Sequence, residues 1–192
     1  MYPLPCVLFA GGKSSRMGQD KSLLPFGGFP SLSEFQYRRL TLLFDHVAIS
    51  TKDAHKFSFE ADFILDPKDA EFAPTAGFVS SFHHFSSDRI MVLSVDTPFV
   101  DESVFKTLLA HDDGGYDAII AKTAEGSHPM CGIYHRSLLG EFERMLRDGD
   151  HRLGKLLAKS NTLYLEFENE EPFMNLNHPQ EYHDACEKIA RI

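Results

Sequence analysis

Short apolar segments alternate with amphipathic segments along most of this chain, and that alternation restricts the fold more than any other feature. An apolar run of a few residues bounded by turn residues is typical of a buried strand, whereas apolar residues repeated every three or four positions indicate a helix. Strands separated by helices require right-handed crossovers and form a mostly parallel sheet with helices on both faces. The predicted fold class is therefore α/β, a three-layer sandwich around a mostly parallel sheet.

The predicted elements cover most of the chain. Strands are expected at Val7–Ala10, His46–Ser50, Asp62–Leu65, Arg89–Val95, Asp117–Ala121, Met130–Tyr134 and Thr162–Phe167. Helices are expected at Leu32–Phe44 and Thr75–Phe85, between Asp101 and Gly114, after Tyr134, around Leu153–Leu157, and from Pro179 onward. The run at 89–95 is apolar on both faces, so we expect it to be central in the sheet. Ligands of such sheets bind beyond the carboxyl ends of the strands.

The composition is that of a folded, acidic protein. With 192 residues, 43% hydrophobic and 24% charged, the chain is predicted to form one domain over residues 1–192. A formal net charge of −9, without a basic patch in the sequence, argues against a nucleic-acid partner. The segments 52–60 and 169–172 are polar and are expected on the surface.

Hydropathy and cysteine usage indicate the compartment. The apolar segments are far shorter than the ~20 residues that cross a bilayer, so no membrane partner is expected. Cys6, Cys131 and Cys186 are widely separated and include no C-x-x-C pair, which favours neither a disulfide framework nor a zinc site. They are predicted to be buried thiols of a cytoplasmic protein.

The segment with the sequence LFAGGKSSRMGQDK predicts a phosphate-binding loop. It leaves the first predicted strand on Gly11 and Gly12 and then places Lys13, Arg16 and Lys21 in one loop. Glycines allow close backbone approach, so that successive N–H groups can point at phosphate oxygens while the cations balance the charge. The alternative is a flexible surface loop rich in Gly and Ser.

Two better-known phosphate loops are excluded. A P-loop needs a glycine five residues before Gly12, but Val7 lies there, inside the strand. The dinucleotide-binding pattern G-x-G-x-x-G is also missing from this segment. The predicted loop therefore belongs to another class of phosphate site.

Asp96 is the candidate metal ligand. It follows the strand predicted to be central and should therefore face the ligand-binding edge of the sheet. A carboxylate beside clustered phosphates can hold Mg²⁺, an ion usually bound by one or two carboxylates together with phosphate oxygens. Mg²⁺ is therefore the expected cofactor. The alternative is that Asp96 only caps the turn before Asp101.

Two asparagines form the third candidate motif. Asn175 and Asn177 are spaced by one residue in a segment expected to be extended, so their carboxamides should project the same way and bind polar groups. The alternative is that an Asn or His of this segment only caps the helix that begins at Pro179.

These motifs together resemble the molybdenum cofactor guanylyltransferase family. Residues 8–21 match every fixed position of its signature L-x-A-G-G-x-S-x-R-M-G-x-D-K. Residues 94–99 resemble its C-D-x-P-[FY] element, with Val95 in place of the usual small or sulfur-bearing residue. Residues 174–181 resemble its N-x-N-T-P-E element, with His178 for Thr and Gln180 for Glu.

Weaker similarities follow in the same order along the chain. Asp66 ends a strand where the family places an acid that contacts the base or ribose, and 74–77 resembles the turn G-P-[LT]-A-G, with Ala73 replacing its first Gly. Residues 128–134 resemble the strand H-P-x-x-[GA]-[LI]-[YW]. One element departs: Ser50–Asp53 stands where the family often has an Asn-Arg pair whose Asn approaches guanine, so that base contact cannot be carried over.

The resemblance implies a Rossmann-like nucleotidyltransferase that transfers GMP from GTP to the terminal phosphate of molybdenum-bound molybdopterin and releases pyrophosphate. It also implies other molybdenum cofactor biosynthesis proteins as partners. The implied nucleotide-binding residues are Leu8, Ala10, Gly11, Gly12, Lys21, Asp66 and Asp96. The implied catalytic residues are Lys21, Arg16 and Asp96, the implied metal ligand is Asp96, and the implied molybdopterin-binding residues are Asn175 and Asn177.

Three other functions stay open on the sequence. A molybdopterin cytidylyltransferase and a sugar-phosphate nucleotidyltransferase share the fold, although the double glycine and the Asn-x-Asn element disfavour both. A non-catalytic nucleotide-binding regulator would have kept the phosphate loop and lost turnover. The presence of both Asp96 and Lys21 argues against it, because binding alone needs no metal at the reacting phosphate.

Overall fold

The computed structural model describes residues 1–11, 18–67 and 74–191. Its strands are β1 Cys6–Phe9, β2 Val47–Thr51, β3 Asp62–Leu65, β4 Arg89–Ser94, β5 Ala118–Thr123, β6 Gly126–His135 and β7 Thr162–Glu166. Its α-helices are α1 Leu32–Thr41, α2 Pro74–His84, α3 Glu102–Ala110, α4 Leu139–Asp148, α5 Leu153–Leu157 and α6 Pro179–Ile189. Short 3₁₀ turns lie at Lys21–Leu23, Ala54–Lys56, Arg136–Leu138 and Glu171–Phe173.

The strands form one sheet in the order β3-β2-β1-β4-β6-β5-β7. β6 is antiparallel to β4 and β5, and the other pairs are parallel. A two-residue turn joins β5 to β6, since Thr123 pairs with Gly126, and so short a connection cannot make a parallel crossover. The sheet is mostly parallel, as predicted, and the carboxyl ends of β1 to β5 and β7 lie along one edge.

The central position predicted for β4 is confirmed. Ile90, Met91, Val92 and Leu93 are completely buried. Because successive side chains of a strand point to opposite faces, they divide between two apolar layers. Met91 and Leu93 join one core cluster, and Ile90 and Val92 join the other.

Helices cover both layers and complete the predicted three-layer sandwich. α1, α3 and α6 pack on one face through Leu32, Phe105 and Ala185, among others. α2 and α4 pack on the other face, where the rings of Phe78 and Phe142 stack with centroids 4.3 Å apart. The apolar residues that repeat along each helix are those that reach the sheet.

Several predicted boundaries need correction. The first helix ends at Thr41 rather than Phe44, and α3 ends at Ala110, before the glycines at 114–115. β6 begins at Gly126 rather than Met130, because the tight turn extends the hairpin with β5. Ser31 caps α1, since its Oγ accepts a hydrogen bond from the N–H of Glu34 at 3.1 Å.

The three cysteines are free thiols. Cys6 and Cys131 are buried, as predicted. Cys186 is only partly buried, because Ala185 is the only buried residue of α6. Among the described helices, none is both long and apolar enough to span a bilayer.

Candidate active site

The carboxyl ends of the parallel strands β1 to β4 meet at one edge of the sheet. The ladder continues past them: Ala10 N donates to Ser50 O at 3.0 Å, and Val95 N donates to Phe9 O at 3.0 Å. These bonds fix the segments that leave each strand. Gly11, at the start of the predicted phosphate loop, and Asp96 therefore follow neighbouring strand ends, where ligands of such sheets bind.

The residues in and just after β1 that are predicted to bind the nucleotide differ in their exposure to solvent. Leu8 is completely buried, with its side chain in the core, and Ala10 is buried at the strand end. Gly11 is exposed, and a Cβ added there would meet nothing within 4 Å. Gly12, Lys13 and Arg16 lie outside the described residues, as do 68–73.

Lys21, Asp96 and Asn177 meet at this edge although they come from three distant parts of the chain. Lys21 Nζ donates to Asp96 Oδ2 at 2.7 Å and to Asn177 Oδ1 at 3.1 Å. The side chains of Lys21 and Asp96 are only 16% and 17% exposed. Ser94 Oγ donates to the other oxygen of Asp96 at 2.6 Å, which fixes the orientation of the carboxylate.

The Asn-x-Asn segment is tied to the same strand end by its backbone. Leu176 N donates to Asp96 O at 2.9 Å. The Glu181 carboxylate accepts from the N–H groups of Asn177 and His178 at 2.6 and 2.8 Å. His178, as the residue before Pro179, is therefore the N-cap of α6. The capping alternative accounts for His178, whereas the Asn177 side chain contacts Lys21 instead.

Asn175 and Asn177 line a cavity of about 330 Å³ between the β5–β6 turn and the chain before α6. The other lining residues are Thr123, Glu125, His128, Glu170, Phe173, Met174 and Glu181. The imidazole of His128 stacks on the ring of Phe173 with centroids 4.5 Å apart. Burial lowers the pKa of His128, which favours the neutral imidazole there.

Asp66 lies at the end of β3 in a different environment. Its carboxylate accepts hydrogen bonds from Ser50 Oγ at 3.0 and 3.2 Å. Burial raises the pKa of Asp66 to about 6, and the hydroxyls of Ser50 and Ser80 and the charge of Lys52 oppose that shift only in part. Gly77 of α2 leaves room for this arrangement, since a Cβ there would stand 2.6 Å from Ser50 Oγ.

Lys56 is a site residue that the sequence analysis missed. Its ammonium donates to Ala10 O, Asp20 Oδ2 and Ser22 Oγ, at both ends of the predicted phosphate loop. The segment 52–60 was expected to be a polar surface stretch, but Phe57 within it is buried. The alternation of Phe57, Phe59 and Phe63 was the signal available in the sequence, since aromatic residues at that spacing indicate a packed segment.

Comparison with known sequences decides the family. The MobA-like NTP transferase domain matches residues 6–163. A molybdenum cofactor guanylyltransferase of Campylobacter jejuni subsp. doylei is 38% identical over 180 residues, which are 93% of each chain. This chain belongs to the molybdenum cofactor guanylyltransferase family. A member from Helicobacter pylori strain J99 is 32% identical over 189 residues, covering 96% of this chain and 88% of that one.

A solved structure agrees with the fold. Molybdopterin-guanine dinucleotide biosynthesis protein A from Archaeoglobus fulgidus superposes with a TM-score of 0.86, at 24% identity, over 98% of this chain and 100% of that chain. The Rossmann-like nucleotidyltransferase fold is thereby confirmed. Members of the molybdenum cofactor guanylyltransferase family are nucleotidyltransferases, so the prediction of an enzyme is confirmed as well.

Proposed function

We propose that this protein transfers GMP from GTP to the terminal phosphate of molybdenum-bound molybdopterin and releases pyrophosphate. The position of the Lys21 ammonium carries the proposal, because it lies between Asp96 on the nucleotide side and Asn177 on the pterin side. A cation at that junction can contact phosphate groups of both substrates. The names of the Campylobacter and Helicobacter relatives support the same reaction.

In this reaction a phosphate oxygen of molybdopterin attacks the α-phosphorus of GTP. A new P–O bond forms there as the bond to the β-phosphate oxygen breaks, so that pyrophosphate leaves with the electron pair. Negative charge grows on the leaving group, and Lys21 stabilises it with Arg16 from the signature. Backbone N–H groups at Gly11 and Gly12 hold the nucleotide phosphates, and Ala10 positions that backbone.

The donor set at Asp96 fits Mg²⁺. Within residues 1–11, 18–67 and 74–191 no group of three or more His, Cys, Asp or Glu could hold a metal ion. A dedicated protein cage is therefore not formed by those residues, whereas Mg²⁺ keeps several waters and uses one or two carboxylates with substrate phosphates. Asp96 would hold the ion, which would neutralise phosphate charge when bound.

The base is placed at Asp66 in this proposal. A carboxylate can accept hydrogen bonds from the N1–H and the exocyclic amine of guanine, and cytosine does not offer that pair of donors. Asp66 is held at the strand end by Ser50, which lies in the segment where the family often has its Asn-Arg pair. The carboxylate thereby supplies a guanine contact without the missing asparagine.

Molybdopterin is placed on the side of Asn175 and Asn177. The 330 Å³ cavity that they line offers amides for polar groups and the stacked His128 and Phe173 rings for an aromatic system. Since Asn177 also contacts Lys21, a pterin in this cavity would direct its phosphate toward the reacting centre. We further propose cytoplasmic action and a partner protein that delivers the pterin.

The decisive experiment is turnover with each nucleotide. The protein is incubated with Mg²⁺, molybdenum-bound molybdopterin and GTP, CTP, ATP or UTP, and dinucleotide and pyrophosphate are measured, with the pterin omitted as control. We expect pterin-dependent product with GTP. Product mainly from CTP would favour the cytidylyltransferase. GTP-dependent thermal stabilisation without product would favour the regulator, because a ligand stabilises by RT ln(1 + [L]/Kd) whether or not it reacts.

A further inference from the structure

The fold holds Lys56 rigidly in a short turn after β2. Asp53 begins this turn, and its carboxylate accepts a hydrogen bond from His55 N at 2.9 Å. The buried ring of Phe57 lies 4.9 Å from Lys56 Nζ, where it attracts the ammonium, and it stacks on Phe63 with centroids 5.3 Å apart. The capped turn and the ring of Phe57 thus position the Lys56 ammonium.

The Lys56 ammonium has three acceptors among the described residues. Nζ lies 3.2 Å from Ala10 O, 2.8 Å from Asp20 Oδ2 and 3.0 Å from Ser22 Oγ. An ammonium group has three N–H donors, so each can be matched by one of these acceptors. The side chain is only 20% exposed. This geometry suits a group that holds other protein atoms rather than one that binds substrate directly.

The three acceptors lie at the two ends of the predicted phosphate loop. Ala10 precedes Gly11, whereas Asp20 and Ser22 flank Lys21, the last residue of the loop segment. A bridge between two such points fixes the separation of the loop ends. Lys56 thereby joins the start and the end of the family signature.

Asp20 transmits this restraint to the turn that carries Lys21. Its Oδ1 accepts from Ser22 N at 3.0 Å and from Ser22 Oγ at 2.6 Å, which caps the turn Lys21–Leu23. Its Oδ2 binds Lys56. Burial opposes ionisation of Asp20, but the hydrogen bonds from Lys56 and Ser22 outweigh it and hold the pKa below its ordinary value. The carboxylate therefore remains charged and keeps both contacts.

We propose that Lys56 is a positioning residue, which holds the Lys21 ammonium at Asp96 and Asn177 through Asp20 and Ser22. Its effect on catalysis rests on the proposed function, but its effect on the turn does not. If Lys56 acts only through Lys21, its loss weakens transition-state stabilisation more than nucleotide binding. If it binds the nucleotide directly, its loss weakens nucleotide binding first.

The kinetic test compares Lys56→Met with Lys106→Met. Lys106 is an exposed lysine paired with Glu102 one helical turn away, so its replacement removes the same charge without touching the site. For Lys56→Met we expect kcat to fall about tenfold with KM for GTP within about threefold, and both constants within about twofold for Lys106→Met. An unchanged kcat, or a tenfold rise in KM alone, would overturn the proposal.

A double-mutant cycle tests the route through Asp20. If Lys56 acts through that carboxylate, Lys56→Met adds little to Asp20→Asn, and the double variant has about the kcat of the worse single variant. Independent action would multiply the two losses. Multiplied losses would contradict the positioning role.

Amide hydrogen exchange tests the turn without any turnover. In Lys56→Met, the N–H of Ser22 should exchange at least about tenfold faster, because its acceptor Asp20 is no longer held, and Lys106→Met should leave it unchanged. Equal exchange in both variants would overturn the proposal even in an active enzyme. Faster exchange in Lys56→Met with an inactive wild type would overturn the proposed function alone. Lys56→Gln is the substitute where Lys56→Met lowers the melting temperature.

Discussion

Asp96 and Asp66 both follow strands at the same sheet edge, and both accept a hydrogen bond from a serine hydroxyl, but their other surroundings differ. Asp96 contacts a cation, Lys21 Nζ, at 2.7 Å. Asp66 contacts the hydroxyl of Ser50, and burial raises its pKa to about 6. The Asp96 carboxylate therefore lies beside a cation that can also bind phosphate. The Asp66 carboxylate changes its protonation near pH 6.

In the proposed function, this difference separates two roles at one edge of the sheet. The Asp96 region combines a carboxylate, an ammonium and the Asn177 amide, which is suited to phosphate chemistry. The Asp66 region combines a carboxylate with neutral hydroxyl donors, which is suited to reading the polar edge of a base. Position at a strand end thus selects where a ligand binds, and the neighbours of each carboxylate select which part of the ligand it meets.

The largest expected effect is at Asp96. Asp96→Asn keeps the shape and should keep the fold, but an amide is a poor Mg²⁺ ligand, so we expect turnover to fall about 10³-fold. The check is kcat at saturating GTP and Mg²⁺, with the melting temperature as a control for folding. Activity within about threefold of wild type would remove Asp96 from the metal site.

The second largest fall in kcat is expected for Lys21→Ala. Loss of a cation at the developing charge should lower kcat about 10²-fold, the usual cost of removing one such group. The check is a steady-state measurement of kcat and KM for GTP. A change confined to KM would assign Lys21 to ground-state binding instead. The Asp96 region would then bind substrate, as the Asp66 region does, rather than stabilise the transition state.

The sequence predicted those parts of the fold and site that depend on local pattern. The strand at 89–95 has apolar residues on both faces, and a strand of that kind must be covered on both faces, so its central position followed. Asp96 then had to lie at the ligand edge. Boundaries were less predictable where tertiary contacts set them: β6 starts at Gly126 because it pairs with β5, a contact that the apolar run from Met130 does not reveal.

The contacts between distant segments could not be predicted. Asn177 and Lys21 are 156 residues apart, and Lys56 and Asp20 are 36 apart. A single lysine in a polar stretch has no periodicity and no partner visible in the sequence. The family resemblance implied catalytic roles for Lys21 and Asp96. Only the fold showed that Asn177 also contacts the Lys21 ammonium and that Lys56 bridges Ala10 and Asp20.

The two asparagines provide the third prediction. The double substitution Asn175→Ala and Asn177→Ala should raise KM for molybdopterin about tenfold and leave GTP affinity within about twofold, since neither residue contacts the Asp66 region. GTP affinity is measured by calorimetry and KM by turnover. Because Asn177 also binds Lys21, Asn175→Ala alone is the cleaner control. Equal loss of both substrates would indicate a collapsed segment.

The fourth prediction concerns the preference for GTP over CTP. We expect the wild type to use GTP over CTP by at least about tenfold in kcat/KM, and Asp66→Ala to reduce that ratio toward one, because buried polar partners reject a base that leaves them unpaired. Lys52→Ala should change the ratio much less than Asp66→Ala does, because Lys52 acts on Asp66 only through its charge, which opposes the rise in the Asp66 pKa. Comparable use of both nucleotides by wild type would contradict the guanylyl assignment.

The smallest expected effect is the pH dependence of that same ratio. In the proposed function the Asp66 carboxylate accepts hydrogen bonds from guanine. Its pKa is raised to about 6, so the charged form is lost as the pH falls through 6. Between about pH 7.5 and pH 5.5 the preference for GTP over CTP should fall about threefold, because most of the Asp66 population becomes protonated.

The measurement is kcat/KM for both nucleotides across that range. Using the ratio cancels titration of the phosphates, which the two nucleotides share. In Asp66→Ala the ratio should not change with pH. A ratio that falls equally with pH in this variant would assign the titration to another group, and Asp66 would then not differ from Asp96 in its contact with the base.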